Sequence, residues 1–369
     1  MHRQKIILFG SFDIGKPRVR IMRDALHKSQ HFDVIEIARN PWQGVEDKSQ
    51  LRFGQRIQHI WRIAVAYPRL ITNYMRAPRR STVVIGYMGI LDVIILWPFA
   101  KIRRARIVWD MFLSAYDTTI HDRQLLSAWH PLAWALYAAE WMACKMADIV
   151  VLDTEAHANY IARIFHIPKN KITFIAVGAE EKYFFPALHN QKNTPFHVLF
   201  YGQCIPLHGM ETILQAIERN QHHPQRDMLR WTLIGSGQEA NKLKAQFATQ
   251  SFTNCTWLPW VEYSKLHRYI HDADICLGIF GASEKAAQVI PNKVYQALAC
   301  GKPVITRSSP AMDTLSLPHI TTIAAQDADA LLAALYDAME APSCEVTPYQ
   351  PIRQIEAEWQ KLAAGQTSV

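Results

Sequence analysis

No two cysteines of this chain stand close enough in sequence to suggest a pair. The six, Cys144, Cys204, Cys255, Cys276, Cys300 and Cys344, are scattered over 369 residues without a CxxC. That spacing argues against a disulfide scaffold or a zinc site and fits a reducing, cytoplasmic setting. A signal peptide is not expected either, because the apolar run in MHRQKIILFGSFDIG is too short before Gly10 and Asp13. The stretch 83–100 is apolar enough to span a membrane, but Gly86, Gly89, Asp92 and Pro98 interrupt it and predict a strand, a turn and a helix. The Gly10 loop lacks GxGxxG, and the strand predicted at 33–37 ends without a ribose-binding acid, which disfavours an NAD-dependent oxidoreductase. There is no DxD-like metal pair in a suitable context and no internal repeat.

What is present is ordinary globular material. Apolar residues make up 49% and charged residues 20%, values that exclude long disorder. A chain of this length exceeds what one hydrophobic core serves, so two domains are expected. Charge is divided unevenly between the halves. Residues 1–186 hold 26 Lys+Arg against 16 Asp+Glu, net +10, and residues 187–369 hold 14 against 16, net −2. The excess lies in Arg52, Arg56, Arg62, Arg69, Arg76, Arg79, Arg80, Lys101, Arg103, Arg104 and Arg106. It is interleaved at helical spacing with Ile57, Ile60, Trp61, Tyr67, Leu70, Ile71, Tyr74 and Met75. Such a pattern suits an anionic membrane surface, and a peripheral location on its inner face, better than nucleic acid. A solvated basic face on core-packed helices explains it equally well.

Strand-like apolar runs alternate with longer helical patterns throughout, which predicts an α/β protein of parallel sheets covered on both faces. Strands are expected at 5–9, 33–37, 82–86, 105–110, 149–152 and 172–176, and again at 197–201, 230–234, 255–258, 275–278, 303–306 and 320–323. The polar, Pro-containing stretch 184–196 reads as a linker. The domains expected are 1–186, 187–345 and a C-terminal amphipathic helix within 346–369, with Ile352, Ile355, Trp359 and Leu362 on one face, returning to the first domain. Two doubly wound, Rossmann-like sheets would then border a cleft at their strand C-termini, where α/β proteins bind ligands.

Several polar groups fall at those strand ends. In FYGQCIPLHGMETIL, Gly202 follows a strand and Gly209 precedes a helix, so backbone N–H groups can approach an anion such as a diphosphate. Gln203 and His208 lie in the same loop, and Gly235 and Gly237 form a second turn after the next strand. In IPNKVYQALACGKPVIT, Pro291 and Asn292 should start a helix with Asn292 as its cap, and Gly301 should end it. Lys293 and Gln296 then share a face, with Gln288 in the loop before. In the first half, Asp110 ends a strand and is followed by Tyr116, Asp117, Asp122 and Arg123. Asp153, Thr154 and His157 follow the next strand, with Asp153 or Thr154 a candidate helix cap. The loop carrying Gly15, Lys16 and Arg18 is basic enough to meet an anionic group.

Residues 196–340, through the Gly202 loop, IGSGQE and LACGKPVIT, resemble the nucleotide-sugar domain of GT-B glycosyltransferase family 4. Most of residues 5–186, through GSFDIGKPRVRIMRDAL, DMFLSAYDTTIHDR, VLDTEAHANYI and VGAEEKYFFP, resemble a narrower bacterial group of it. The resemblance implies two Rossmann-like domains, a nucleoside diphosphate sugar as co-substrate with no further cofactor or metal, and transfer with retention to a glycan or lipid-linked acceptor. Family members carry two glutamates seven residues apart where this chain has Gln288 and Gln296, and an arginine and a lysine where it has Gln203 and His208. An amide at Gln296 can still hold a ribose diol. Glu284 is an alternative for Gln288 at a different spacing. The resemblance makes Lys293 the substitute cation, with His208 beside it, Asp110 a catalytic candidate, and Lys285 and Arg307 further cations. The four departures also fit a catalytically silent relative that binds a nucleotide sugar or a partner enzyme.

Overall fold

The computed structural model describes residues 3–40, 53–186, 192–249, 254–315, 317, 319–341, 346–349 and 351–366. Arg52, Cys344, the linker centre at 187–191 and the side chains of Arg56, Ile57, Ile60 and Trp61 lie outside the described residues. The chain forms two compact units, one of Met1–Ile120, Gln124–Val177 and Ile352–Val369, the other of His121–Arg123 and Gly178–Pro351.

Unit 1 is built on a parallel sheet of β1 (Gln4–Ser11), β2 (Phe32–Arg39), β3 (Thr82–Ile85), β4 (Arg106–Phe112), β5 (Ile149–Leu152) and β6 (Ile172–Phe174), in the order β2-β1-β3-β4-β5-β6. Its helices are α1 (Pro17–Lys28), α2 (Phe53–Arg76), α3 (Ile90–Ile102), the single turn α4 (Ala115–Asp117), α5 (Pro131–Met146) and α6 (Glu155–Ile164). β3 (TVVI) and β5 (IVVL) are buried at every position, as parallel strands covered on both faces require. The two-residue period of β1 sorts its side chains. Ile7 and Phe9 join the cluster containing Leu96 and Tyr74, whereas Ile6 and Leu8 join Ile21 and Met22 of α1. The stretch 83–100 is the strand, turn and helix expected of it.

Unit 2 repeats the plan with β7 (Phe196–Tyr201), β8 (Leu229–Ile234), β9 (Cys255–Leu258), β10 (Ile275–Leu277), β11 (Val304–Arg307) and β12 (Ile320–Ile323), in the order β12-β11-β10-β7-β8-β9. Its helices are α7 (Met210–Asn220), α8 (Ala240–Thr249), α9 (Leu266–Asp272), α10 (Glu284–Gln288), α11 (Asn292–Ala299), α12 (Pro310–Asp313) and α13 (Ala328–Glu340). The chain winds from β7 out to β9, then crosses to β10 on the other side of β7. This reversal is the switch point at which doubly wound sheets take ligands. The last helix, α14 (Ile352–Ala363), belongs to unit 1, where Ile352, Ile355, Trp359 and Leu362 are buried with Ile21 and Met22.

Unit 2 begins at Gly178, ahead of the stretch read as a linker. Packing explains the position. Phe184 is fully buried with its ring edge-on to Tyr263 at 5.4 Å, and the Tyr263 hydroxyl donates to Glu180 Oε2 at 2.8 Å.

Candidate functional site

Within unit 2, the loops after β7 and β10 meet at the switch point. Gly202 has φ +152 and Gly209 φ +63, backbone that L side chains rarely adopt. A Cβ on Gly209 would lie 2.5 Å from the Gly281 nitrogen in the loop after β10, so the two loops touch through bare backbone. A Cβ on Gly202 would lie 2.8 Å from Lys293 Nζ. Lys293 stands in the first turn of α11, 6% exposed, with its ammonium 3.8 Å from the centre of the Phe200 ring and without any hydrogen-bond partner. Burial holds its pKa well below the usual lysine value, and the only compensation comes from the thiols of Cys204 and Cys276. A buried cation without a counter-ion, against a glycine loop leading into the N-terminus of α7, is the built half of an anion site.

His208 lies beside Lys293, and its Nδ1 faces the carbonyl of Gln203, so that nitrogen carries the proton and donates. Burial, then the Lys293 charge, pushes the imidazole pKa well below its ordinary value. His208 is therefore a neutral group at neutral pH, and positive charge reaches the loop from elsewhere. The second source is Arg123, in the short 121–123 segment that belongs to unit 2. Its Nη2 donates to Gln203 Oε1 at 3.4 Å, its carbonyl accepts from Gln238 Nε2 at 3.2 Å, and its Nε is buried without a partner. By position in the sequence Arg123 falls among the acceptor candidates of the first half, because no local pattern tells that this turn reaches the Gly202 loop.

The remaining donor-site candidates of unit 2 fall around these groups. Gln296 is buried one turn after Lys293, its Nε2 directed at Tyr263 Oη at 3.5 Å. Gln288 ends α10, which Ser283 caps while its hydroxyl donates to Asp122 Oδ1 at 3.2 Å. Glu284 is exposed, Lys285 is buried on α10, and Arg307 donates to the Gly281 carbonyl at 2.5 Å. The turn containing Gly235 and Gly237 packs on the first loop, since Cys204 N–H donates to the Ser236 carbonyl at 2.9 Å. Asn292 is the first residue of α11 rather than its cap, and Pro291 occupies the cap position without a side-chain bond. Gly301, at φ +70, ends the helix with its N–H on the Leu298 carbonyl and that of Lys302 on Ala297, a Schellman motif.

In unit 1 most of the expected site residues contact other parts of the unit itself. Asp110, taken as catalytic, is fully buried and accepts from Arg18 Nε at 3.0 Å and Nη2 at 2.8 Å. Arg18, assigned to an anion-binding loop, uses its other donors on the carbonyls of Leu152 at 3.1 Å and Ile175 at 2.5 Å. The two form a buried ion pair within unit 1. Gly15 N–H donates to Asp13 Oδ1 at 3.0 Å, and Lys16 is an exposed residue at the N-cap of α1. Tyr116 packs edge-on against Tyr137 at 5.3 Å, with its N–H on Glu140. Asp117 is buried and accepts from the Tyr160 hydroxyl at 2.8 Å. Both residues are held by contacts within unit 1.

Other polar groups gather at the same sheet edge. Thr154 caps α6, accepting from His157 N–H at 3.0 Å, and His157 Nδ1 lies 2.5 Å from Asp153 Oδ1. The His157 ring is fully buried and its Nε2 has no partner. Asp92, seen in sequence only as an interruption of an apolar run, holds the loop after β1 by accepting from Ser11 N–H at 3.0 Å and the Tyr67 hydroxyl at 3.1 Å. Burial raises its pKa to about 6. Among the described residues, no three His, Cys, Asp or Glu side chains converge as a metal set.

Residues 195–341 match the protein family described as Glycosyl transferases group 1. Comparison with curated proteins gave no match. The chain is similar in fold to the sucrose-phosphate synthase of Thermosynechococcus elongatus, at TM-score 0.70 and 16% identity over 98% of this chain and 97% of that one. It is likewise similar to Anabaena HepE in complex with UDP and glucose, at TM-score 0.64 and 13% identity over 100% and 96%. An E. coli structure described as trehalose-6-phosphate bound with UDP-2-fluoro glucose gives TM-score 0.59 and 11% identity over 99% and 96%. The chain thus has the GT-B fold of two Rossmann-like units, and residues 195–341, within the second unit, match the family described as Glycosyl transferases group 1.

Proposed function

We propose that this protein is a retaining glycosyltransferase that moves a sugar from a nucleoside diphosphate sugar to a glycan or lipid-linked acceptor without a metal ion, as a step in cell-surface polysaccharide assembly at the inner face of a membrane. The observation that carries the reading is the buried, unpartnered ammonium of Lys293 against the Gly202 loop, at the switch point of a domain matching a glycosyltransferase family. The nucleotide part draws support from the solved structures of similar fold, several of which are described as complexes with UDP or UDP-glucose.

In this reading Lys293 and Arg123 receive the diphosphate, Gln296 the ribose, and the backbone N–H groups near Gly209 complete the cradle. Negative charge grows on the diphosphate as the glycosidic bond breaks. Preorganised cations there are worth about 3 kcal/mol each in the transition state, because no solvent reorganises around them. The departing phosphate takes the acceptor's proton as it attacks from the same face, which needs no carboxylate nucleophile.

The catalytically silent alternative rests on the four uncharged residues Gln203, His208, Gln288 and Gln296. Arg123 and Lys293 weigh against it by restoring two cations to the loop. Thermal shift with UDP-, GDP-, ADP-, CMP- and dTDP-sugars separates the readings. One donor should raise the melting temperature of the wild type and fail to do so for Lys293→Ala and Gln296→Ala. Stabilisation without hydrolysis or transfer would favour the silent relative, and no stabilisation by any donor would sink the site.

A further inference from the structure

α5 departs from the rule that a helix apolar all round is buried. Every exposed residue on it ahead of Lys145 is apolar: Pro131, Leu132, Trp134, Ala135, Ala138, Trp141 and Met142. Trp129, just before it, is 81% exposed, Leu132 62% and Trp134 59%, so three large apolar side chains stand nearly free in water. The neighbouring α3 packs against α5 and shows the same habit. Its exposed residues are Leu91, Pro98, Lys101 and Ile102, preceded by exposed Met88. Both helices follow strands of one parallel sheet and therefore run side by side in the same direction, and Lys101 on Asp148, at 3.3 Å, ties their C-terminal ends. An apolar surface of this kind marks an interaction site.

Charge decides what it meets. Between residues 53 and 147 the chain has five carboxylates, Asp92, Asp110, Asp117, Asp122 and Glu140, and each is at most 3% exposed. Of the segment's cations, Arg103 is buried against the carbonyls of Met75 and Ala77 and Arg106 and Arg123 are half-buried, while the others whose side chains are described stay outside. Arg69, Arg76, Arg79, Arg80, Lys101 and Arg104 are all exposed. A second copy of the chain would set this one-signed positive surface against itself. Anionic lipid headgroups match it, and tryptophan is the side chain that favours the depth between headgroup and acyl chain. Among the described residues no helix is long and apolar enough to cross a membrane, so the contact lies along the surface.

We propose that the exposed face of α3 and α5, led by Trp129, Leu132 and Trp134, inserts shallowly into an anionic lipid bilayer while the arginines of α2 and the turn after it bind headgroups. α5 starts where β4 leads out of the sheet, so its tryptophans stand at the edge where Asp153 and His157 collect. Arg76, Arg79, Arg80, Lys101 and Arg104 stand at the opposite edge, at and after the ends of α2 and α3, so the bilayer contact runs along the length of α3 and α5. Access to a lipid-linked acceptor rests on the function proposed above; the docking surface does not.

The test is co-sedimentation of the full chain with vesicles of phosphatidylcholine alone and with about one third phosphatidylglycerol. Wild type should sediment with the anionic vesicles only, and brominated acyl chains should quench its tryptophan emission. Leu132→Glu with Trp134→Glu, and separately Arg76→Ala with Arg79→Ala, should each weaken binding about tenfold or more. All are surface changes, and an unchanged melting temperature confirms that they fold. Equal binding to neutral vesicles, or unaltered binding by the tryptophan variant, would overturn the proposal. So would a wild-type dimer that the same variant splits without any vesicle binding, which would make the face a contact between copies. Vesicle binding together with no response to any sugar nucleotide would retain the surface and remove the glycosyltransferase reading.

Discussion

Lys293 joins two properties that conflict until a ligand arrives. It is buried in the first turn of α11 with no acceptor for its three protons, and burial depresses its pKa well below the lysine norm. The groups that face it are Cys204 and Cys276, His208 with a lowered pKa of its own, and the Phe200 ring. None carries negative charge at neutral pH. A bound diphosphate would supply that charge and restore the pKa, so binding must take up a proton in the window between the depressed free value and the normal one. Affinity is then greatest below the free-state pKa and falls as pH rises through it. Calorimetry with UDP over a series of pH values above its second phosphate pKa of about 6, repeated in buffers of different ionisation heat, should show proton uptake within that window. Lys293→Met should abolish both the uptake and the pH dependence; uptake that survives it would assign the proton elsewhere. The candidate status of Lys293 was legible because a proline–asparagine helix start places it one turn before Gln296. The part of Arg123 was not, because it depends on where a turn from the first half of the chain ends up.

At the scale of elements, the ion pair of Arg18 and Asp110 acts as a clamp. Arg18 is the second residue of α1, yet its guanidinium reaches the ends of β4, β5 and the strand leading from β6, and stacks near Phe112 at 5.1 Å and Trp359 at 5.5 Å. Removing one partner leaves a buried, uncompensated charge, so Arg18→Ala or Asp110→Ala should each cost about 3–5 kcal/mol in urea unfolding, and Arg18→Met with Asp110→Leu much less. A catalytic Asp110 would give the reverse: an inactive variant of normal stability. All twelve strands were legible, since a parallel strand covered on both faces is a near-continuous apolar run. The pair was not, because a charged residue at a strand end reads the same whether it meets substrate or a partner 92 positions away.

For the whole molecule, the chain closes on itself. After passing through unit 2 it returns as α14, which buries Trp359 to 1% exposure in the core of unit 1. Neither half of the sequence is therefore complete as a folding unit. Trp359→Ala should destabilise unit 1 by about 3–5 kcal/mol through the cavity it leaves. In calorimetry the transition that sugar nucleotide shifts, that of unit 2, should stay in place while the other moves down; joint displacement of both would show that the units melt as one.

By itself the sequence determined what depends on neighbours along the chain: the alternation of strands and helices, their division into two sheets, the glycine turns, the helix end at Gly301 and the amphipathic face of α14. Tertiary structure alone decided which polar groups are spent on one another and which remain. It matched Arg18 to Asp110 and Glu140 to the turn at Ser114, turned the acids of residues 53–147 inward, left the Lys293 ammonium without a hydrogen-bond partner and left Trp129 and Trp134 exposed. The reason is physical. Local periodicity records which face of an element is buried, whereas compensation of a charge depends on distances set by the folded chain.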